Sequence, residues 1–114
     1  MGLGMRIERN EAGMGGSKQF TLWNGSKRVC FSVMEDELCA HTWNCIGEGR
    51  EFLKELEWYA DFLQLQLTVP TVINPKLRTI LEDNGYSKRL VEFEPEPNSV
   101  DWVEIWSKQR EVIA

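Results

Sequence analysis

The chain is poor in metal ligands and in cysteine, with one histidine and three cysteines among 114 residues. With a single His and no Cys-x-x-Cys pair, a tetrahedral Cys/His zinc site lacks its ligands, and no metal is expected. Cys30, Cys39 and Cys45 are odd in number and form no disulfide framework. No run approaches the ~20 apolar residues that span a bilayer. The opening MGLGMRIERN has no apolar h-region of a secretion signal, and Arg6 stands where myristoylation wants Ser or Thr. The expectation is a cytoplasmic protein with free thiols and no membrane partner. Excess positive charge is missing too. Thirteen Lys/Arg against eighteen Asp/Glu leave −5, which argues against nucleic acid as a partner. The balance is uneven, since residues 1–34 hold five Lys/Arg against two acids.

What is present suffices for one core. The apolar share is 42%, with five Trp and five Phe as large anchors. Residues 1–17 carry five of the nine Gly, so this segment reads as a loosely ordered arm with a short strand around 5–9. Residues 18–114 read as a single domain. Segments 18–23 and 28–34 alternate apolar and polar residues on either side of Asn24-Gly25, a strong hairpin signal. A polar Glu35-Asp36-Glu37 turn and a third strand over 38–43 complete an antiparallel meander.

From 50 to 63 the apolar residues fall at 52, 53, 56, 59, 60 and 63, the spacing of an amphipathic helix that Trp58 and Phe62 widen. Strict alternation over 64–69 then predicts a strand lying parallel to the third in a right-handed βαβ unit. Pro70 is expected to end or divert its pairing. Asn74-Pro75 opens a second helix and Gly85 closes it. Two strands over 88–93 and 100–106 finish a β-β-β-α-β-α-β-β order, a mixed α/β domain.

Chemistry is expected at Asn44-Cys45-Ile46-Gly47-Glu48-Gly49, between a strand and a helix. Two glycines allow close backbone approach, and the helix N-terminus offers unpaired N–H groups to an anion. A plain tight connection uses glycine in the same way. The segment resembles motif A of the GNAT superfamily of N-acetyltransferases, Q/R-x-x-G-x-G/A followed by an apolar helix. Asn44, Gly47 and Gly49 fall on its marked positions, Asn standing where the family has Gln or Arg. Asn74 and Gly85-Tyr86 match the family's Asn, helix and Gly-Phe in spacing. The resemblance runs over about residues 28–106, and small phage-encoded members are similar in size.

The resemblance implies a GNAT-like acyl-CoA N-acyltransferase fold, an α+β mixed sheet with acetyl-CoA as cosubstrate between two splaying parallel strands. It implies pyrophosphate against the backbone of Ile46, Gly47, Glu48, Gly49 and Arg50, with Asn44 and Asn74 beside it. It implies pantetheine along Leu38, Cys39, Ala40 and His41, and direct attack of an amine on the thioester. Leu81 stands where many members carry a Tyr that serves as acid toward the CoA thiolate. The two helices usually found between the family's first and second strands have no counterpart, which implies an open site suited to a protein lysine or N-terminus.

Glu37, then Glu35, then His41 are the candidate bases, near the start of the strand where the family often keeps a Glu. Glu-Asp-Glu also reads as a solvated turn, and His41 as a hydrogen-bonded structural residue. Cys45 reads as a small buried thiol, and Trp102 and Trp106 share one face of the last strand. The competing reading is a non-catalytic interaction protein with a macromolecular partner. A homodimer stays open.

Overall fold

Gly25, at φ +63°, and Ser26 form the two-residue loop of the first hairpin, with Asn24 facing Lys27 across the ladder. The sequence suggested Asn24-Gly25 as the turn pair, but the loop sits one residue later. A positive φ at the first loop residue is the type II′ arrangement, which needs only its first residue to be glycine. The computed structural model describes residues 5–10, 18–70, 72 and 74–108. The remainder of the expected 1–17 arm lies outside the described residues.

The elements are β1 (Arg6–Asn10), β2 (Lys18–Asn24), β3 (Lys27–Val33), β4 (Glu37–Asn44), α1 (Gly49–Leu63), β5 (Gln66–Pro70), α2 (Pro75–Asp83), β6 (Ser87–Phe93) and β7 (Asp101–Ser107). They form a seven-stranded mixed sheet in the order β1-β2-β3-β4-β5-β7-β6, with two helices. The strand expected around 5–9 is therefore an edge strand of this sheet. Only β4 and β5 run parallel among the described strands.

Register separates two unlike faces. Leu22 faces Val29, Phe31 faces Ala40, Leu38 faces Leu67 and Val69 faces Trp106. All eight are buried, and they pack with Phe52, Leu53, Leu56 and Ala60 of α1 and Leu77 and Leu81 of α2 into one core. Trp58 and Phe62 do not join it. At about 100° per residue they fall on the far side of the helix from the Phe52–Leu56–Ala60 stripe. They stack on each other in solvent, 45% and 72% exposed. The opposite face of the sheet carries a polar row, with Gln19, Ser32, Cys39, Thr68, Ser107 and Ser87 in register across six strands.

The helix ends are built alike. Gly85, at φ +86°, closes α2, with Gly85 N–H on Glu82 O and Tyr86 N–H on Leu81 O. Gln64, at φ 58°, closes α1, with Gln64 N–H on Asp61 O and Leu65 N–H on Ala60 O. These paired bonds satisfy the last carbonyls in a Schellman ending. Gln64 thus belongs to the helix stop, and β5 begins two residues later than its alternation suggested.

Candidate functional site

Parallel pairing between β4 and β5 covers only Glu37–Gln66, Leu38–Leu67 and Cys39–Thr68. Beyond Thr68, β5 parts from β4 and keeps only its pairing with β7 on the other edge, which runs through Thr68–Ser107, Val69–Trp106 and Pro70–Ile105. The divergence therefore precedes Pro70, which keeps its place in the antiparallel ladder. Its cause lies on β4. Cys30 faces Thr42 while Phe31 faces Ala40, so His41 is the extra residue of a β-bulge. A bulge bends its strand and redirects the side chains after it. Nothing in the sequence signalled it, because His41-Thr42-Trp43 alternates as any strand would.

The wedge between the strands opens toward the loop at 44–49. Gly47 holds φ +86° as the third residue of a turn closed by Glu48 N–H on Cys45 O, 2.9 Å. That conformation is the reason for glycine there. Glu48 stands at the N-cap of α1 but makes no side-chain cap. Its carboxylate turns away, accepting from Asn24 Nδ2 at 2.7 Å and pairing with Lys27 Nζ at 2.9 Å. The first-turn N–H groups of α1 are left without a capping side chain, the condition for anion binding at a helix start.

A cleft of about 100 Å³ lies here, lined by Trp43, Ile46, Gly47, Gly49, Asn74 and Lys76 among others. Four candidate cofactor residues therefore converge: Ile46, Gly47, Gly49 and Asn74. Two cations reach the region that the local sequence did not offer, Lys76 at the start of α2 and Lys27 from the β2–β3 hairpin. Asn74 caps α2, its Oδ1 accepting from Lys76 N–H at 2.8 Å. Arg50 points elsewhere, toward Asp83 at 3.5 Å. Asn44 is exposed and in register with Arg28, outside the cleft lining.

The remaining candidates divide similarly. Leu38 and Cys39 stand in the parallel ladder with β5, so that edge of β4 is occupied and a free edge begins only at Ala40. Trp43 Nε1 donates to Ala40 O at 3.1 Å. Of residues 38–41, expected to pair with pantetheine, Leu38 and Cys39 are therefore already engaged along that edge. Among the described residues no group of three or more His, Cys, Asp or Glu is arranged to hold a metal.

Of the three candidate bases, Glu37 has the geometry. It is half-buried at the junction of β4 and β5, where Thr68 Oγ1 donates to its Oε2 at 3.2 Å, and it lines an open trough on the polar face. Glu35 is exposed in the preceding bend and does not line the trough. His41 has both ring nitrogens engaged. Nε2 donates to Gln19 Oε1 at 3.3 Å, and Nδ1 accepts from Thr42 Oγ1 at 2.9 Å. Partial burial lowers its pKa, which favours the neutral ring.

Neither Leu81 nor Tyr86 offers an acid to the cleft. Leu81 is fully buried. Tyr86 is buried as well, its hydroxyl donating to Glu57 Oε2 at 2.9 Å, and burial together with that carboxylate pushes its pKa far up. Burial likewise pushes the Cys45 thiol up to about 11, so Cys45 is no thiolate near neutrality. No helix among the described residues is long and apolar enough to cross a membrane. Compared with known protein families, with curated proteins and with solved structures, the chain matches none.

Proposed function

We propose that the chain is a small GNAT-like N-acetyltransferase that binds acetyl-CoA and transfers acetyl directly to the amine of a protein or peptide acceptor. The supporting observation is the wedge between β4 and β5. The only parallel pair among the described strands parts after three register positions, has an uncapped helix start and a left-handed glycine turn at its mouth, and carries a carboxylate at its closed end. Acetyl-CoA supplies the activated acetyl thioester. The backbone at 46–49 and Lys76 hold its anionic part, and the edge of β4 beyond Ala40, which no longer pairs with β5, aligns the arm. Glu37 takes the proton of the attacking amine, directly or through one water, and Thr68 fixes the orientation of its carboxylate. With Leu81 in the core and Tyr86 tied to Glu57, the departing thiolate is protonated by solvent.

Thermal melting with and without acetyl-CoA tests this. Binding at a hundredfold excess over Kd contributes about 2.7 kcal/mol, on the order of 10 °C for a domain of this size. No shift at millimolar acetyl-CoA, with the protein folded, removes the reading. A non-catalytic interaction protein is then the alternative, favoured by two exposed aromatic features. These are the Trp58–Phe62 stack on α1 and Trp102, 56% exposed on the face where Trp106 is buried.

A further inference from the structure

Three hydroxyl residues cross the polar face of the sheet in one row. Thr68 on β5 faces Ser107 on β7, which faces Ser87 on β6. With Gln66 they floor a trough of about 390 Å³ that Asp36 and Glu37 border from the β4 side and Arg89 from β6. Among the described residues Asp36, Glu37 and Arg89 form no ion pair with protein groups. Among the described residues the trough thus has acid without an ion partner at one end, a guanidinium without one at the other and neutral hydrogen-bonding groups between.

The register gives its length. Glu37 is level with Gln66, whereas Arg89 is level with Ile105 and through it with Pro70. Three strand spacings of ~4.8 Å and four residues of ~3.3 Å put the two Cα atoms roughly 19 Å apart. The long side chains close part of that gap, leaving on the order of 10 Å between carboxylate and guanidinium. A free amino acid, whose charges are adjacent, is too short to meet both ends. An extended peptide advances ~3.3 Å per residue and places its third to fifth side chain that far from its α-amine. An α-amine also suits the chemistry better than a lysine. With a pKa near 7.7–8.0 roughly a tenth of it is neutral at pH 7, against well under ~0.1% of a lysine at 10.4.

We infer that this trough receives the free N-terminus of an acidic peptide, its α-amine at Glu37 and the carboxylate of an Asp or Glu at its third to fifth position on Arg89. The assignment of the amine end rests on the acetyltransferase reading above, whereas the charge pattern stands on the trough alone. Fluorescein-labelled peptides with a free N-terminus and one Glu moved through positions two to seven test it by anisotropy. Peptides with Lys at the same positions are controls, and acetylation of each peptide is followed by mass.

Glu at positions three to five is expected to bind about fivefold tighter than Lys there, with little difference elsewhere. Arg89, which is exposed and so replaceable without loss of fold, sets this preference. Arg89→Gln abolishes it and Arg89→Glu reverses it. Equal binding across the series, or a preference that survives Arg89→Glu, overturns the inference. Acetylation without positional preference removes the peptide inference and leaves the enzyme. A preference without acetylation keeps the peptide site and removes the enzyme.

Discussion

Thr68 donates its hydroxyl to the carboxylate of Glu37 across the last stretch where β4 and β5 remain paired, Oγ1 to Oε2 at 3.2 Å. The bond fixes one carboxylate oxygen and leaves the group lining the trough. Glu37→Gln is expected to lower amine acetylation by ~10²-fold while the melting shift with acetyl-CoA is unchanged. Below the pKa of the amine, the residual rate should climb about tenfold per pH unit, because only the neutral amine reacts. Glu35→Gln, in the exposed bend, leaves both readouts as they were. Wild-type turnover and pH profile in Glu37→Gln would exclude it as the base.

Much of the fold was legible in the sequence, and the exceptions have physical causes. Period-2 and period-3.6 patterns located the strands and both helices, because one-sided burial imposes them. Asn74, Pro75 and Gly85 punctuate α2 with residue types whose backbone preferences are local. What lacked a local signal was missed. The bulge at His41 arises from a mismatch between two strands, and no residue of β4 encodes it alone. Lys27 reaches Glu48 only because the β2–β3 hairpin returns beside the start of α1. Trp58 and Phe62 were expected inside because they are large and apolar, although their angular position puts them outside.

Gln64 ends α1 in a conformation that its side chain disfavours. The left-handed region costs a non-glycine residue about 1 kcal/mol, and the equivalent position after α2 is glycine. Gln64→Gly is therefore expected to stabilise the domain by roughly 0.5–1 kcal/mol, part of the relief being offset by the entropy of glycine in the unfolded chain. Urea unfolding at an unchanged m-value measures it. A loss of stability would mean that the Gln64 side chain makes a compensating contact.

Leu81 is fully buried, so a Tyr placed at this position would not present an acid to the cleft. Leu81→Tyr adds a ring and a hydroxyl to a filled core and is expected to cost about 1–3 kcal/mol. The melting temperature should fall, and turnover per folded molecule should not rise. An increase in kcat at unchanged stability would contradict the burial.

Cys45 is protonated across the physiological range, its pKa pushed up to about 11 chiefly by burial and secondarily by Glu48. Alkylation by iodoacetamide should be slow at pH 8 in the native protein and fast after unfolding. The folded pKa lies above the unfolded one, so the unfolded chain releases its proton first as pH rises. Stability is then full below about pH 8.5 and falls between there and pH 11. Cys45→Ala should flatten that decline, which a melting series from pH 7 to 11 would register.

Gly47 and Gly49 look equivalent in sequence, but their surroundings differ. At Gly47 a Cβ would have only Lys27 Nζ nearby, at 3.9 Å, so there is space, but φ is +86°. Gly47→Ala therefore carries backbone strain alone, about 1–2 kcal/mol, and the loop relaxes it by rotating the peptides that face the cleft. Gly49 has no such conformation, and its Cβ would lie 2.9 Å from Ile80 Cδ1, the tip of a side chain that can turn aside. Gly49→Ala gains helix propensity of up to ~1 kcal/mol against that displacement, so its net effect on stability is small. Displacing Ile80 crowds the cleft that both residues line. Gly47→Ala should thus lower the melting temperature and the acetyl-CoA shift together, whereas Gly49→Ala should keep the first and reduce the second. If neither variant changes the shift, the ligand does not use this loop.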